Sequence, residues 1–269
     1  MDVPLFPLHT VLCPGIALPL HIFEPRYRAL VRRCLATESP FGVVWIRDGR
    51  EVGAGMIAIA SMGTFAEIRE ADRLADGRFD LVAVGTGRFR VEEVFTDREP
   101  YLVARVEPVE DRVDDEPRAR RLSRLVTRRF VRYVAQVRDI AEEEDEDEEP
   151  GDAAVEGKSR TGEAGETAFE EPLIADEASV VPGTPQPGSF TTVDPGPGLV
   201  MPADPTLLSY LLAGIVELDL PRRQALLEAD TTDERLIDLA DVLAREVAFL
   251  EQRLRVYTPD PLEIAARRN

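Results

Sequence analysis

Near Pro117 the spacing of apolar residues changes from a strand-like to a helical period, which limits this 269-residue chain to a β-rich first part followed by helices. Before that point, turn residues at Pro14-Gly15, Asp48-Gly49, Asp76-Gly77 and Gly85-Thr86-Gly87 break up short apolar or alternating runs. The runs Val43 to Ile46, Met56 to Ala60, Thr64 to Ile68, Phe79 to Val84, Phe89 to Phe95 and Leu102 to Val106 read as strands. Short strands at this spacing imply an antiparallel barrel or sandwich. One helix interrupts them. It opens with Pro25 in its first turn and carries Tyr27, Leu30, Val31, Cys34 and Leu35 on a stripe that should lie on the sheet.

From residue 117 to 140 the stripe Leu122, Leu125, Val126, Phe130, Tyr133, Val134 and Val137 predicts a first bundle helix. Glu142 to Glu149 is then an unbroken run of acids, and the stretch to about Asp204 holds only Phe169 and Phe190 as aromatics. Such a segment buries too little apolar surface to offset its conformational entropy, so residues 141–204 are expected to form a disordered acidic insertion. Helical pattern resumes at Pro205, again after Pro221, and from Thr231, where Thr231 and Glu234 have capping-box spacing ahead of Leu236, Leu239, Leu243, Val247, Leu250 and Leu254. The expected division is a barrel over 1–116, a bundle helix over 117–140, the insertion over 141–204, the remaining bundle over 205–258 and a tail over 259–269. The fold class is α+β.

Chemistry is limited by what the chain lacks. Its one lysine, Lys158, lies in the acidic stretch, so no folded element can supply a phosphate-binding, Schiff-base or dyad lysine. His9 and His21 are the only histidines, and no nucleophile-elbow pattern supports a serine such as Ser61 or Ser123. Glu92-Glu93 and Asp114-Asp115 are adjacent rather than facing. A metal would have to use His9, Cys13, His21 and Cys34, a spread unlike a compact ligand set. Gly85-Thr86-Gly87 lacks the third glycine of a dinucleotide loop and reads as a hairpin or bulge, with Arg88 placed for an anion or an internal carboxylate. No catalytic residue, metal or cofactor is expected.

The formal charge of -19 is concentrated in the acidic stretch; with about 18 acids against Lys158 and Arg160 there, the rest of the chain is close to neutral. That argues against a broad grip on nucleic acid. Two cysteines, no apolar leader at Met1 and no uncharged run long enough for a bilayer suggest a soluble protein of a reducing cytoplasm, with no membrane partner.

The opening Val3-Pro4-Leu5-Phe6-Pro7-Leu8-His9 and the later Ala17 to Tyr27 combine prolines with apolar residues. Prolines cannot donate to a ladder and belong at edges or bends, and an edge beside apolar groups suits an extended peptide. Phe6, Leu20, Phe23 and Tyr27 are the candidate groove contacts, and Arg26 and Arg88 candidate anion or partner contacts. The competing reading places the same apolar residues in the barrel core.

Pro4-Leu5-Phe6-Pro7-Leu8, Pro14-Gly15, Pro19 to Tyr27 and Val84-Gly85-Thr86-Gly87-Arg88-Phe89 together resemble the N-terminal substrate-binding domain of Lon proteases, most closely its stand-alone bacterial members. Leu211-Leu212-Ala213 and Pro221 to Glu228 are similar to the helical part that ends that domain. The resemblance implies a PUA-like antiparallel β-barrel followed by a helical bundle, and a role in recognising unfolded or tagged polypeptides. The ATPase and Ser-Lys peptidase modules of Lon are missing, so only the binding role carries over. The expected function is a non-enzymatic polypeptide binder, an adaptor or regulator in proteolysis or quality control with a protease or chaperone as partner. RNA binding through a PUA-like barrel is the alternative, and the acidic run docking on the chain's own arginine-rich helices a third reading.

Overall fold

The computed structural model describes residues 1–48, 58–147 and 201–257. In chain order these form β1 (Asp2–Leu8), β2 (Ala17–Ile22), α1 (Pro25–Thr37), β3 (Phe41–Asp48), β4 (Ala58–Ile59), β5 (Met62–Arg73), β6 (Phe79–Phe95), β7 (Val103–Val109), α2 (Glu116–Asp147), α3 (Pro205–Ile215), α4 (Leu220–Glu228) and α5 (Thr232–Tyr257). The expected strand over Met56 to Ala60 is seen as the short β4, residues 56 and 57 lying outside the described residues. The acidic insertion lies outside them from residue 148 to 200, and α2 runs through the first acids to Asp147 rather than stopping at 140.

Strand pairing runs β1-β7-β6-β5-β3, and a β1–β3 pairing closes the ring. Every pairing is antiparallel except that one, where Leu5 to Leu8 run parallel to Gly42 to Trp45. Closure leaves the ring without an edge. It also explains how β1 holds Pro4 and Pro7 inside a barrel. Asp2 to Pro4 pair only with β7 and Leu5 to Leu8 only with β3, so each residue faces a ladder on one side and a missing N–H has a side to spare.

A similar exchange occurs on β6. The Phe79 to Val84 half pairs with β2, and the Arg88 to Phe95 half pairs with β7, while β5 lies alongside both. Gly85-Thr86-Gly87 is the junction, and against β5 the register slips there, with Thr64 opposite Arg88 and Ala66 opposite Gly85. The bulge reading therefore holds and the hairpin reading does not. Small residues are needed at these crossings. A Cβ on Gly63 would come within 2.5 Å of the Val43 carbonyl oxygen, and one on Gly85 within 2.5 Å of the Cys13 carbonyl oxygen.

α1 starts as its sequence implies, with Pro25 in the first turn and Tyr27, Leu30, Val31 and Cys34 buried. Leu35, expected on the same stripe, is 43% exposed, because at one residue past Cys34 it turns beyond the shoulder of the face on the sheet. In the bundle α2 and α5 run parallel. Thr232 N–H donates to the Arg112 carbonyl at their starts, and Gln136 reaches Glu251 further along. The capping box forms in both directions, from Thr231 N–H to Glu234 Oε2 and from Glu234 N–H to Thr231 Oγ1, each 3.2 Å. One buried cluster includes Phe6, Leu20 and Phe79 of the barrel together with Val126, Leu212 and Leu239 of the bundle, so the two parts share a core. Among the described residues no helix is long and apolar enough to cross a membrane.

Candidate functional site

The six residues picked out by sequence do not form one surface. Phe6 is buried and stacks on Tyr27 with ring centroids 4.1 Å apart, and both belong to the shared core with Leu20. The reason is strand phase. Along β2, Leu18, Leu20 and Ile22 turn inward, while Ala17, Pro19 and His21 turn outward or stay half-buried. The same alternation, read along Ala17 to Ile22 in the sequence, carries that signal. Of the four apolar candidates, Phe23 alone keeps part of its side chain at the surface.

Around Phe23 the end of β2 forms a small mixed platform. The His21 ring lies roughly parallel to Phe23 with centroids 6.2 Å apart. Its Nδ1 is hydrogen-bonded to Asp80 on the adjacent β6, and its Nε2 is 3.3 Å from Arg78 Nη1. Arg78 in turn donates from Nε to Asp76 at 2.7 Å. Arg26 lies on the following turn, with Nε donating to Glu24 Oε2 at 2.7 Å and the guanidinium 4.6 Å from the centre of the Tyr27 ring.

β2 itself pairs only with β6 among the described strands. Its residues, Ala-Leu-Pro-Leu-His-Ile, carry no permanent charge. The outer half of β5, from Glu67 to Arg73, lies at the other side of the same three-stranded flap but is lined by Glu67, Arg69, Glu70, Asp72 and Arg73. Charge and proline both blunt a strand edge; the outer half of β5 has the first, while β2 lacks permanent charge but holds Pro19, which has no N–H to donate, at its centre.

Arg88 has a different place from either the groove or an anion site. It is 1% exposed, and its Nη1 donates to the carbonyls of Leu227, in the last turn of α4, and Ala229, its cap, at 2.8 and 2.7 Å. Nη2 lies 2.8 Å from Asp111 Oδ1, a close ion pair rather than an aligned hydrogen bond. The internal-carboxylate reading of Arg88 is therefore the one the structure supports. Asp111 also accepts from the Tyr210 hydroxyl and lies 3.4 Å from Arg235 Nη2, and the Arg235 guanidinium packs 3.9 Å from the centre of the Tyr210 ring. Burial raises the Tyr210 phenol far above its usual range and lowers Arg235. The sequence reading missed Asp111, Tyr210 and Arg235. A signal existed for Arg235, which sits one turn before Leu239 on the apolar side of α5.

Nothing in the described residues assembles reactive groups. No set of three or more His, Cys, Asp or Glu there could hold a metal ion. His9 is at the surface, whereas Cys13 and Cys34 are free and buried. Burial pushes both thiols up to about 11, so they are neutral and unreactive at physiological pH.

The described residues thus form a closed barrel with an embedded helix, fused through one core to a helical bundle, with a strand edge at β2 that carries no permanent charge. A family model described as the ATP-dependent protease La (LON) substrate-binding domain matches residues 2–245, and the chain belongs to that family. Lon protease 2 of Myxococcus xanthus is 35% identical over 115 residues, which is 42% of this chain and 14% of that protein. The Lon protease of Anaeromyxobacter dehalogenans is 35% identical over 116 residues, again 14% of its length. The crystal structure of a Lon N-terminal domain protein from Xanthomonas campestris is similar over 89% of this chain and 96% of that one, with a TM-score of 0.52 and 26% identity. The N-terminal domain of a Mycobacterium avium complex Lon protease matches in fold at a TM-score of 0.52 and 17% identity.

Proposed function

We propose that this chain is a non-enzymatic polypeptide-binding protein that holds unfolded or tagged segments in extended form along β2, and that it serves proteolysis or quality control in the cytoplasm as an adaptor or regulator. The observation that carries the reading is the edge of β2. It carries no permanently charged residue, is paired on one side by β6 among the described strands, and ends beside the half-buried Phe23. Backbone groups on either side of Pro19, which itself can only accept, can bond a short incoming strand of any sequence, while Phe23 offers an apolar contact that favours the hydrophobic residues of an unfolded client. Breadth of clients follows from that division of labour. Membership of a family described as substrate-binding supports it, and the family match is confined to that domain.

The test is an anisotropy titration of a labelled, permanently unfolded polypeptide into the full chain and into Phe23→Asp. Binding that weakens about tenfold or more in the variant supports the edge, corresponding to roughly 1.4 kcal/mol of lost apolar contact. Equal binding by both proteins would remove it. The titration is repeated as salt rises. Apolar capture should hold or strengthen, whereas the alternative, RNA-type binding through arginines, would show affinity falling steeply.

A further inference from the structure

Helices α2 and α5 lie side by side and carry opposite charge on their outer faces. On α2, Arg121, Arg124 and Arg128 are exposed, share one face at i, i+3 and i+7 spacing, and make no ion pair or side-chain hydrogen bond among the described residues. On α5, Glu234, Asp238 and Asp241 are exposed at i, i+4 and i+7, and the carboxylates of Asp238 and Asp241 have no ion pair or hydrogen bond among the described residues either. At these spacings like charges repel. Burial first, then Asp241 and Glu234, raise the Asp238 carboxyl above its usual range despite Arg245, so the acidic face is short of positive charge. The arginines lie opposite the buried Val126 and Phe130, and the acids opposite the buried Leu236, Leu239 and Leu243, all five in one core cluster. Both faces therefore look out from the same side of the bundle. They are also level, because Thr232 N–H meets the Arg112 carbonyl and Arg129 meets the Ala240 carbonyl. Further along, the bond from Gln136 to Glu251 sets Val131, 59% exposed, near the height of Phe249, 61% exposed.

We infer that these two faces bind the same two faces of a second copy of the chain, α2 of each copy lying on α5 of the other. A twofold axis parallel to the helices and midway between α2 and α5 exchanges the two without changing their level or direction. Each arginine triad then meets Glu234, Asp238 and Asp241 of the other copy, and the contact is made twice. An axis across the helices would set α2 on α2 and α5 on α5, like charge on like, so charge selects the arrangement as well as the surface. Exposed ion pairs alone hold little, and the apolar residues beside them supply the remainder. Val131 is at i+3 from Arg128 and Phe249 at i+11 from Asp238, so each continues the stripe of its own charges, and the exchange brings Val131 of one copy toward Phe249 of the other. The interface is isologous and closes at two copies.

Sedimentation velocity on the full chain tests this at about 0.02 M and about 0.5 M salt, where the screening length falls from roughly 20 to about 4 Å. At low salt the expected mass is twice the 29.9 kDa of the chain, returning toward a single chain at high salt. A chain with Arg121→Glu, Arg124→Glu and Arg128→Glu should be monomeric, and so should one with Asp238→Arg and Asp241→Arg, which leaves the Thr231 and Glu234 capping box untouched. Mixing the two should restore a dimer, because the new acids then meet the new arginines and the unaltered faces meet each other. A wild-type chain that is monomeric at low salt overturns the inference. So does either variant that still dimerises alone, or a mixture that stays monomeric, which is the result if the arginines serve a nucleic acid or another protein instead.

Discussion

Arg88, in the middle of the longest strand, donates from Nη1 to the backbone carbonyl of Leu227 2.8 Å away, although 139 residues separate the two along the chain. That bond, with the Asp111 ion pair and the second bond to Ala229, ties the barrel to the turn that joins α4 to α5. Leu227 is in the last turn of α4 and Ala229 is its cap, where the helix has no further N–H to offer, so the guanidinium fills acceptors that the helix itself leaves open.

Removing that cation should loosen the two halves together. Arg88→Met takes the guanidinium from the Leu227 carbonyl and leaves Asp111 and the Ala229 carbonyl to Arg235, with Tyr210 also on Asp111, and the expected loss is about 2–3 kcal/mol of unfolding free energy. Arg88→Lys should recover little of it, since a single ammonium cannot reach three acceptors in the directions that the planar fork does. Urea unfolding followed by both barrel and helix signals checks this. Loss below about 1 kcal/mol would mean that the shared apolar core alone holds the parts.

At Gly63 the barrel wall is too close for a side chain. Gly63→Ala would set a methyl 2.5 Å from the Val43 carbonyl oxygen and 2.6 Å from Phe89 Cζ, and one of those neighbours is backbone in a paired strand. The expected cost is about 1–3 kcal/mol, read as a lower thermal midpoint. An unchanged midpoint would contradict the described packing.

The two thiols give the chain an alkaline limit. In the folded protein burial holds Cys13 and Cys34 near 11, against 9.0 for the ordinary thiol. Below about pH 9 both states are protonated and the full stability is present; as pH rises through the window from 9 to 11 the unfolded chain ionises first and stability is lost. Urea midpoints should therefore fall across that window. At pH 8 both thiols should resist a thiol reagent until the chain unfolds, and rapid labelling of the native protein would contradict their burial.

The reciprocal Thr231 and Glu234 bonds start the longest apolar stripe of the bundle. Thr231→Ala removes one of them and should cost about 1 kcal/mol without altering the fold, as measured by denaturant midpoint. This box was fully legible in the sequence, because a capping box is defined by residue types three positions apart.

Other features were legible for the same local reason. Pro25 and the stripe behind it define α1, and the glycines at 85 and 87 mark a bulge, although the strand passes through it unbroken from Phe79 to Phe95. The Lon resemblance, resting on the motifs at Pro4 to Leu8 and Pro19 to Tyr27, led to the right family. The groove was harder. Those motifs are dominated by the residues that build the core, so Phe6, Leu20 and Tyr27 mark the fold while lying inside it. Partners fixed by tertiary contact, such as Arg88 with Leu227, leave no pattern in the neighbouring sequence, and the apolar-side position of Arg235 signals burial without naming Tyr210. Helix α2 extends to Asp147, past the 140 expected, because the apolar stripe that marks a helix in sequence stops near Val137 while the backbone helix continues.

Amide hydrogen exchange on the full chain, with and without a saturating unfolded polypeptide, tests the assignment of β2 most directly. Slowed exchange centred on Ala17 to Ile22 and on Phe23, with little change along the charged half of β5, is the expected result. Client binding that leaves the amides of β2 unprotected, and instead protects another part of the molecule, would contradict it.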